Sequence, residues 1–145
     1  MFAQNAIGFW ASAESYDADL VTYMTGLATP LSDGQKTLLN TFYTTIKTGL
    51  GITLMTEAFD IMYIIGGTTQ ESSYRNLVKR LHDISAVGSP AWTALEGHTG
   101  ATGKYLDTNY NPSTQGSKYT LNNCSLGIYS RTDADGLYTD IGSRT

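Results

Sequence analysis

The stretch that most constrains this 145-residue chain is Gly97 to Gly136, GHTGATGKYLDTNYNPSTQGSKYTLNNCSLGIYSRTDADG. It reads as three short β-segments cut by glycine, asparagine and proline turns. Tyr105-Leu106-Asp107-Thr108 is the first. The loop Asn109 to Ser117 follows, with Asn111-Pro112 opening a turn. Lys118-Tyr119-Thr120-Leu121 then leads to Ser125-Leu126-Gly127-Ile128-Tyr129-Ser130, where the apolar residues alternate. Alternation of period two suits a strand with one buried and one wet face. Asp133-Ala134-Asp135-Gly136 closes the stretch as an Asp/Gly turn.

Upstream the periodicity changes to that of helices. Ser15 to Met24 reads as a helix with Ser15 as N-cap, Asp17 and Asp19 in the first turn, and a stripe of Leu20, Tyr23, Met24 and Leu27. Gly26 and Pro30 break it. Ser32 to Thr48 is the clearest helix. Ser32 and Gln35 form a capping box. Leu38, Leu39, Phe42, Tyr43, Ile46 and Leu50 repeat at helical spacing, and Gly49 and Gly51 end it. Threonines crowd the opposite face, so packing has to hold this helix.

Thr53 to Ile65 fits a helix or a buried β-run, and is expected to begin as a short helix or turn and continue as irregular or strand structure. Gly66-Gly67 is a break. Thr69 to Arg80 allows one helical turn at most, then a strand-like Leu77 to Leu81. Gly88-Ser89-Pro90 is a loop, and Ala91 to Leu95 reads as a strand in which Trp92 alternates with Ala94. The fold class expected is α+β, N-terminal helices followed by short antiparallel strands, with a helical segment over 1–67 and a β-rich segment over 68–145.

Two passages resemble a module of bacteriophage virion proteins found near tail fibres and receptor-binding proteins. They are GHTGATGKYLDTNYNPS (97–113) and NNCSLGIYSRTDADG (122–136). In that family a glycine-flanked "yldT-x-y-NPs" segment precedes an "N-x-S-x-x-x-Y-x-R-T" strand. The likeness extends upstream, where LMTEAFDIMYIIGG and SSYRNLVKR follow a helix in the same order. The resemblance spans roughly residues 17 to 136 and carries no catalytic motif. It implies the opening of a concanavalin-like (laminin G-like) β-sandwich, a place in the virion after synthesis in the host cytoplasm, and contacts with other virion proteins. It also implies a homo-oligomer, with trimers usual in such fibres. A complete sandwich would need roughly a hundred further residues. The few strands here, marginal alone and open-edged, are expected to pack on the helices, to be completed by another chain, or to belong to a longer protein.

Composition limits the functions. Charged residues are 15%, well under the usual quarter, and the net charge is −4. The only basic cluster is Arg75, Lys79 and Arg80, which argues against nucleic-acid binding. The single Cys124 excludes an internal disulfide framework and a cysteine-based zinc site. The start of the chain lacks a basic region followed by a sufficient apolar run, and the longest apolar run, Ile61 to Ile65, is too short to span a membrane. Membrane insertion, a cofactor and a metal are therefore not expected. No Walker loop, nucleophile elbow or metalloprotease motif occurs. The carboxylate pairs Glu57/Asp60 and Asp133/Asp135 read better as a helix face and a turn than as glycosidase pairs. Asp133/Asp135 resembles the opening of a calcium loop but lacks the closing glutamate. His82 and His98 read as surface or hydrogen-bonded residues. An enzyme is not expected.

Two sets of candidate residues remain. Phe2, Phe9 and Trp10 make an apolar start that needs cover, from its own domain or from a partner subunit. Tyr105, Asp107, Asn109 and Tyr110 combine aromatic faces with polar neighbours, a composition that serves strand packing, a subunit interface or stacking on a sugar. A structural protein working through assembly is the leading expectation. A carbohydrate-binding module for attachment to a host surface glycan is the alternative.

Overall fold

The computed structural model describes residues 15–120, 122 and 124–128, so Phe2, Phe9, Trp10 and Asp133/Asp135 lie outside the described residues. The chain divides into two compact units, one ending at Tyr110 and one beginning at Asn111.

The first unit opens with α1 (Ala18–Met24) and α2 (Asp33–Leu50), then a 3-10 turn (Met55–Glu57) and α3 (Gln70–Tyr74). Four strands follow: β1 (Ser85–Val87), β2 (Ala91–Thr93), β3 (Gly97–Thr99) and β4 (Tyr105–Asp107). β2 and β3 form an antiparallel hairpin, and β1 pairs antiparallel with β4 around it, making two separate two-stranded sheets. The class is α+β, with helices first and short antiparallel strands after. Neither sheet has a third strand among the described residues.

Local chemistry explains the helix ends, with one correction. The N-cap of α1 is Asp17, whose carboxylate accepts from the Asp19 amide at 2.9 Å, so the cap lies two residues later than Ser15. Asp17 is better placed because it also meets Lys47, which Ser15 cannot replace. The Ser32/Gln35 capping box forms as expected, and Gly51 closes α2 in the left-handed region at φ 67°. The outer threonines turn their hydroxyls back onto carbonyls four residues earlier, Thr37 to Asp33, Thr41 to Thr37 and Thr44 to Asn40.

The buried stripe of α2 differs from the expected one. Tyr43 and Lys47 are buried, while Leu38 is 73% exposed and Leu50 is exposed as well. An ammonium sits inside because two carboxylates from α1 receive it; Leu38 falls on the face that α1 does not cover.

The core comprises Leu20, Tyr23, Leu31, Tyr43, Met55, Leu77 and Val78, flanked by Met24, Leu27, Phe42 and Ile46. It draws on both sides of residue 67. Two buried tyrosines tie the helices to the following segment: Tyr43 donates to the Leu77 carbonyl at 2.8 Å and Tyr23 to that of Ser72 at 3.0 Å. Burial raises the pKa of the Tyr23 hydroxyl and holds those of Tyr43 and Tyr63 well above the usual tyrosine value. Because the unfolded chain ionises these groups first, their contribution is present below about pH 10 and lost as pH rises further. An alkaline titration followed at 295 nm is expected to show these three tyrosines ionising only together with loss of secondary structure. Their titration in the folded chain near pH 10 would contradict this.

Residues 77–81, expected as strand, form no ladder. The backbone there bonds to the Asn76 side chain and to Met62 instead, with Leu77 N donating to Met62 O at 2.8 Å, and pairing starts only at Ser85. After the 3-10 turn, 58–65 is irregular, within the range expected. β2 stops at Thr93, and Ala94 is an exposed turn residue rather than an alternating strand position.

Gly88 shows why β1 turns where it does. It has φ +69°, and a Cβ there would lie 2.3 Å from the Gly103 carbonyl oxygen. Gly88→Ala is expected to cost at least about 1–3 kcal/mol through strain alone, read as a lowered urea midpoint. An unchanged midpoint would mean that this turn is not held in the folded chain.

In the second unit, α4 (Pro112–Gln115) occupies the expected loop. Asn111 caps it and Pro112 fills the first position, where its missing N–H costs nothing. The alternating Ser125 to Ser130 does not form a strand over its described part. Leu126 and Ile128 are exposed and residues 124–128 have no ladder partner among the described residues. Alternation sets only which side chains share a face, and without a core to bury one face it fixes no pairing.

Candidate functional site

The β1–β4 ladder sets Tyr105 opposite Val87, Leu106 opposite Ala86 and Asp107 opposite Ser85. With period two, Tyr105 and Asp107 stand on one face and both are exposed, while Leu106 is half-buried on the other. The Asp107 carboxylate accepts from the Asn109 amide at 2.8 Å, an Asx turn that puts Asn109 at φ 52°.

From there the polar groups turn inward. The Asn109 amide donates to the Asp83 carbonyl and the Ser85 hydroxyl, both at 2.9 Å. Its backbone carbonyl meets His82 Nδ1 at 2.9 Å. A carbonyl only accepts, so Nδ1 carries a proton. The Tyr110 ring packs edge-to-face with His82 at 5.4 Å, and its hydroxyl donates to the buried Asp60 at 3.0 Å. Tyr63 donates to the His82 carbonyl.

The four candidate residues are thus brought to one end of one ladder with divided roles. Asn109 and Tyr110 bind segments together across the fold, and Tyr105 and Asp107 face outward. Nothing in the sequence marked His82, Asp60 or Asp83 as their partners, and Tyr63 joins the group only through His82. Asp60 pairs with a tyrosine 50 residues away, a separation that no local spacing encodes.

Other chemistry is placed as follows. Glu57 accepts from the amides of Thr53 and Leu54 and from the Thr53 hydroxyl, so it caps its own turn. Of the basic cluster, Arg75 is buried. It donates to the Thr25 carbonyl at 2.8 Å and to Gly26 and Glu71 at 3.3 Å. Glu71 in turn accepts from the amides of Ala28 and Thr29, so the pair clamps the exit of α1. Ser73 and His98 Nε2 lie 3.1 Å apart, a nucleophile–base distance. Ser73, however, is fully buried and donates its own proton to the Gln70 carbonyl at 2.7 Å, so it accepts from the ring and is not poised to attack.

In the second unit a cavity of about 390 Å³ is lined by Pro112, Ser113, Tyr119, Thr120 and Cys124, whose thiol is free and exposed. Among the described residues no cluster of three His, Cys, Asp or Glu is placed to hold a metal, and no helix is long and apolar enough to cross a membrane. Set against known proteins, the chain matches no family model, no curated protein and no solved structure.

Proposed function

We propose that the chain is a structural component of a bacteriophage virion, in a tail, a fibre or a head-attached position, acting through protein–protein assembly. The resemblance of residues 97–113 and 122–136 to virion modules supports the phage setting. The observation that carries the assembly reading is the pair of two-stranded sheets, neither with a third strand among the described residues. Strands of three residues in pairs are marginal alone, and their outer edges invite another chain. Homo-oligomeric contact, with a trimer as the fibre precedent, completes them, and other virion proteins are the remaining partners.

Light scattering on the purified chain tests this. A fixed multiple of 15.7 kDa is the expected result, and a well-folded monomer at 15.7 kDa would overturn strand sharing between copies.

The alternative, a carbohydrate-binding module for a host surface glycan, draws support from Tyr105 and Asp107 standing exposed on one face. It predicts glycan affinity in the isolated chain that Tyr105→Ala removes. Tyr110 is a poorer probe, because its hydroxyl is engaged with Asp60. Absence of affinity in a folded sample would eliminate this reading.

A further inference from the structure

His98 sits on β3 directly opposite Trp92 of β2, so both side chains lie on the same face of the hairpin. Its ring stacks on Tyr74 of α3, with centroids 5.1 Å apart and planes 20° from parallel. Nε2 lies 3.1 Å from the Ser73 hydroxyl. Because the Ser73 proton is committed to the Gln70 carbonyl, the oxygen can only accept, so Nε2 carries a proton, and the neutral form of the ring is the Nε2–H tautomer. In that neutral form Nδ1 is a bare lone pair. It is buried, as is the indole Nε1 of Trp92, and neither has a hydrogen-bond partner among the described residues.

A second proton could go only to Nδ1. It would create a buried cation with no acceptor, on the same hairpin face as another buried N–H donor. Among the described residues, the elements packed against the ring offer it no charged partner. α3 presents Ser73 and Tyr74, β2 presents Trp92, and the Ile65–Gly67 segment against Leu95 and Gly97 carries no titratable group. Glu71 of α3 is engaged with Arg75, and Glu96 in the hairpin turn is exposed. Burial alone pushes the ring's basicity below that of an ordinary histidine.

We propose that His98 is a proton-operated latch: its neutral ring docks the β2–β3 hairpin onto α3, and protonation at Nδ1 releases the hairpin. The sign follows from the lowered basicity. The open hairpin takes up the proton more readily than the docked one, so docking is complete above about pH 6.5 and weakens as pH falls below it. Release frees the edges of a two-stranded hairpin and the Trp92 face, so the latch couples acidification to strand exposure. The inference stands on the His98 contacts and holds whatever the biological setting.

The test is an NMR titration of the full chain, reading the ring nitrogens of both histidines alongside amide-exchange protection of residues 91–99. The expected result has His98 as the Nε2–H tautomer at neutral pH. Hairpin protection should then fall in step with its titration, by up to roughly 25-fold between pH 7 and pH 5, the limit set by an unfolded pKa of about 6.5. His98→Phe, which keeps a ring to stack on Tyr74, should abolish that pH dependence, while His82→Gln should retain it. An Nδ1–H tautomer, protection that stays constant through the His98 titration, or an unchanged response in His98→Phe would each overturn the proposal. If His98→Phe does not fold, the wild-type titration decides alone.

Discussion

Lys47→Ala is expected to destabilise the first unit by about 3–5 kcal/mol, a large share of the roughly 5–15 kcal/mol that holds a domain together. The ammonium is buried, 2.7 and 2.9 Å from the two oxygens of Asp17 and 2.5 Å from Asp19. Each carboxylate has a second duty. Asp17 caps α1, and Asp19 accepts from the Met55 amide at 2.9 Å, joining α1 to the 3-10 turn. Removing the cation leaves two like charges facing each other in a poorly hydrated place. The loss comes mainly from those stranded anions, so the triple variant Asp17→Asn, Asp19→Asn, Lys47→Met should recover most of it, since the asparagines keep an accepting oxygen. Urea denaturation of the single and triple variants separates the cases. A single variant within about 1 kcal/mol of wild type, the range of a surface ion pair, would show that the network is solvated.

The same cluster sets an alkaline limit. Burial alone lowers the basicity of Lys47, but the hydrogen bonds and charges of Asp17 and Asp19 outweigh it and raise its pKa above that of an ordinary lysine. A group whose folded pKa is raised contributes fully below its unfolded value and loses that contribution as pH rises through the folded one. The Lys47 contribution is therefore intact at pH 9 and disappears only above about pH 10.5.

Asn76→Ala is expected to rank beside it, with a cost of about 3–6 kcal/mol from up to three buried backbone groups at roughly 1–3 each, less what relaxation recovers. Asn76 is 1% exposed. Its carbonyl oxygen accepts from the amides of Met62 at 3.1 Å and Val78 at 3.0 Å, and its amide donates to the Leu81 carbonyl at 2.8 Å. Its own backbone amide donates to Asp83 at 2.9 Å. One side chain thus supplies the partners that a strand over 77–81 would otherwise provide. Asn76→Asp is the discriminating control. It keeps the acceptor but places an anion near Asp83, so its deficit should shrink as pH falls through the carboxylate range. A deficit independent of pH would mean that the site admits water.

The elements legible in the sequence are those whose signals lie within a few residues. The Ser32/Gln35 box, the Gly51 stop, the Gly88-Ser89-Pro90 loop and the first β-segment at Tyr105 all depend on local backbone chemistry, and they form where that chemistry places them. The core stripe of α1 was equally plain, because Leu20 and Tyr23 recur at helical spacing. The candidate cluster was legible in part. Turn chemistry does bring Asp107 and Asn109 together, but whether a polar group faces solvent or another segment depends on what arrives opposite it.

Tertiary structure alone decided the rest. Lys47 points inward because Asp17 and Asp19 arrive from another helix, and no helical pattern marks a lysine as core. Arg75 left the apparent basic cluster for the carbonyls that end α1. Residues 77–81 have a strand's composition but not a strand's ladder, because Asn76 and Met62 satisfy them first. Alternation at 125–128 found no ladder partner among the described residues, and Leu126 and Ile128 are exposed. The sequence by itself determined where helices are capped and where the chain turns, since those free energies are settled between near neighbours. Which polar groups are buried, and which strands find partners, was decided only by the fold, because desolvation and pairing depend on atoms tens of residues away.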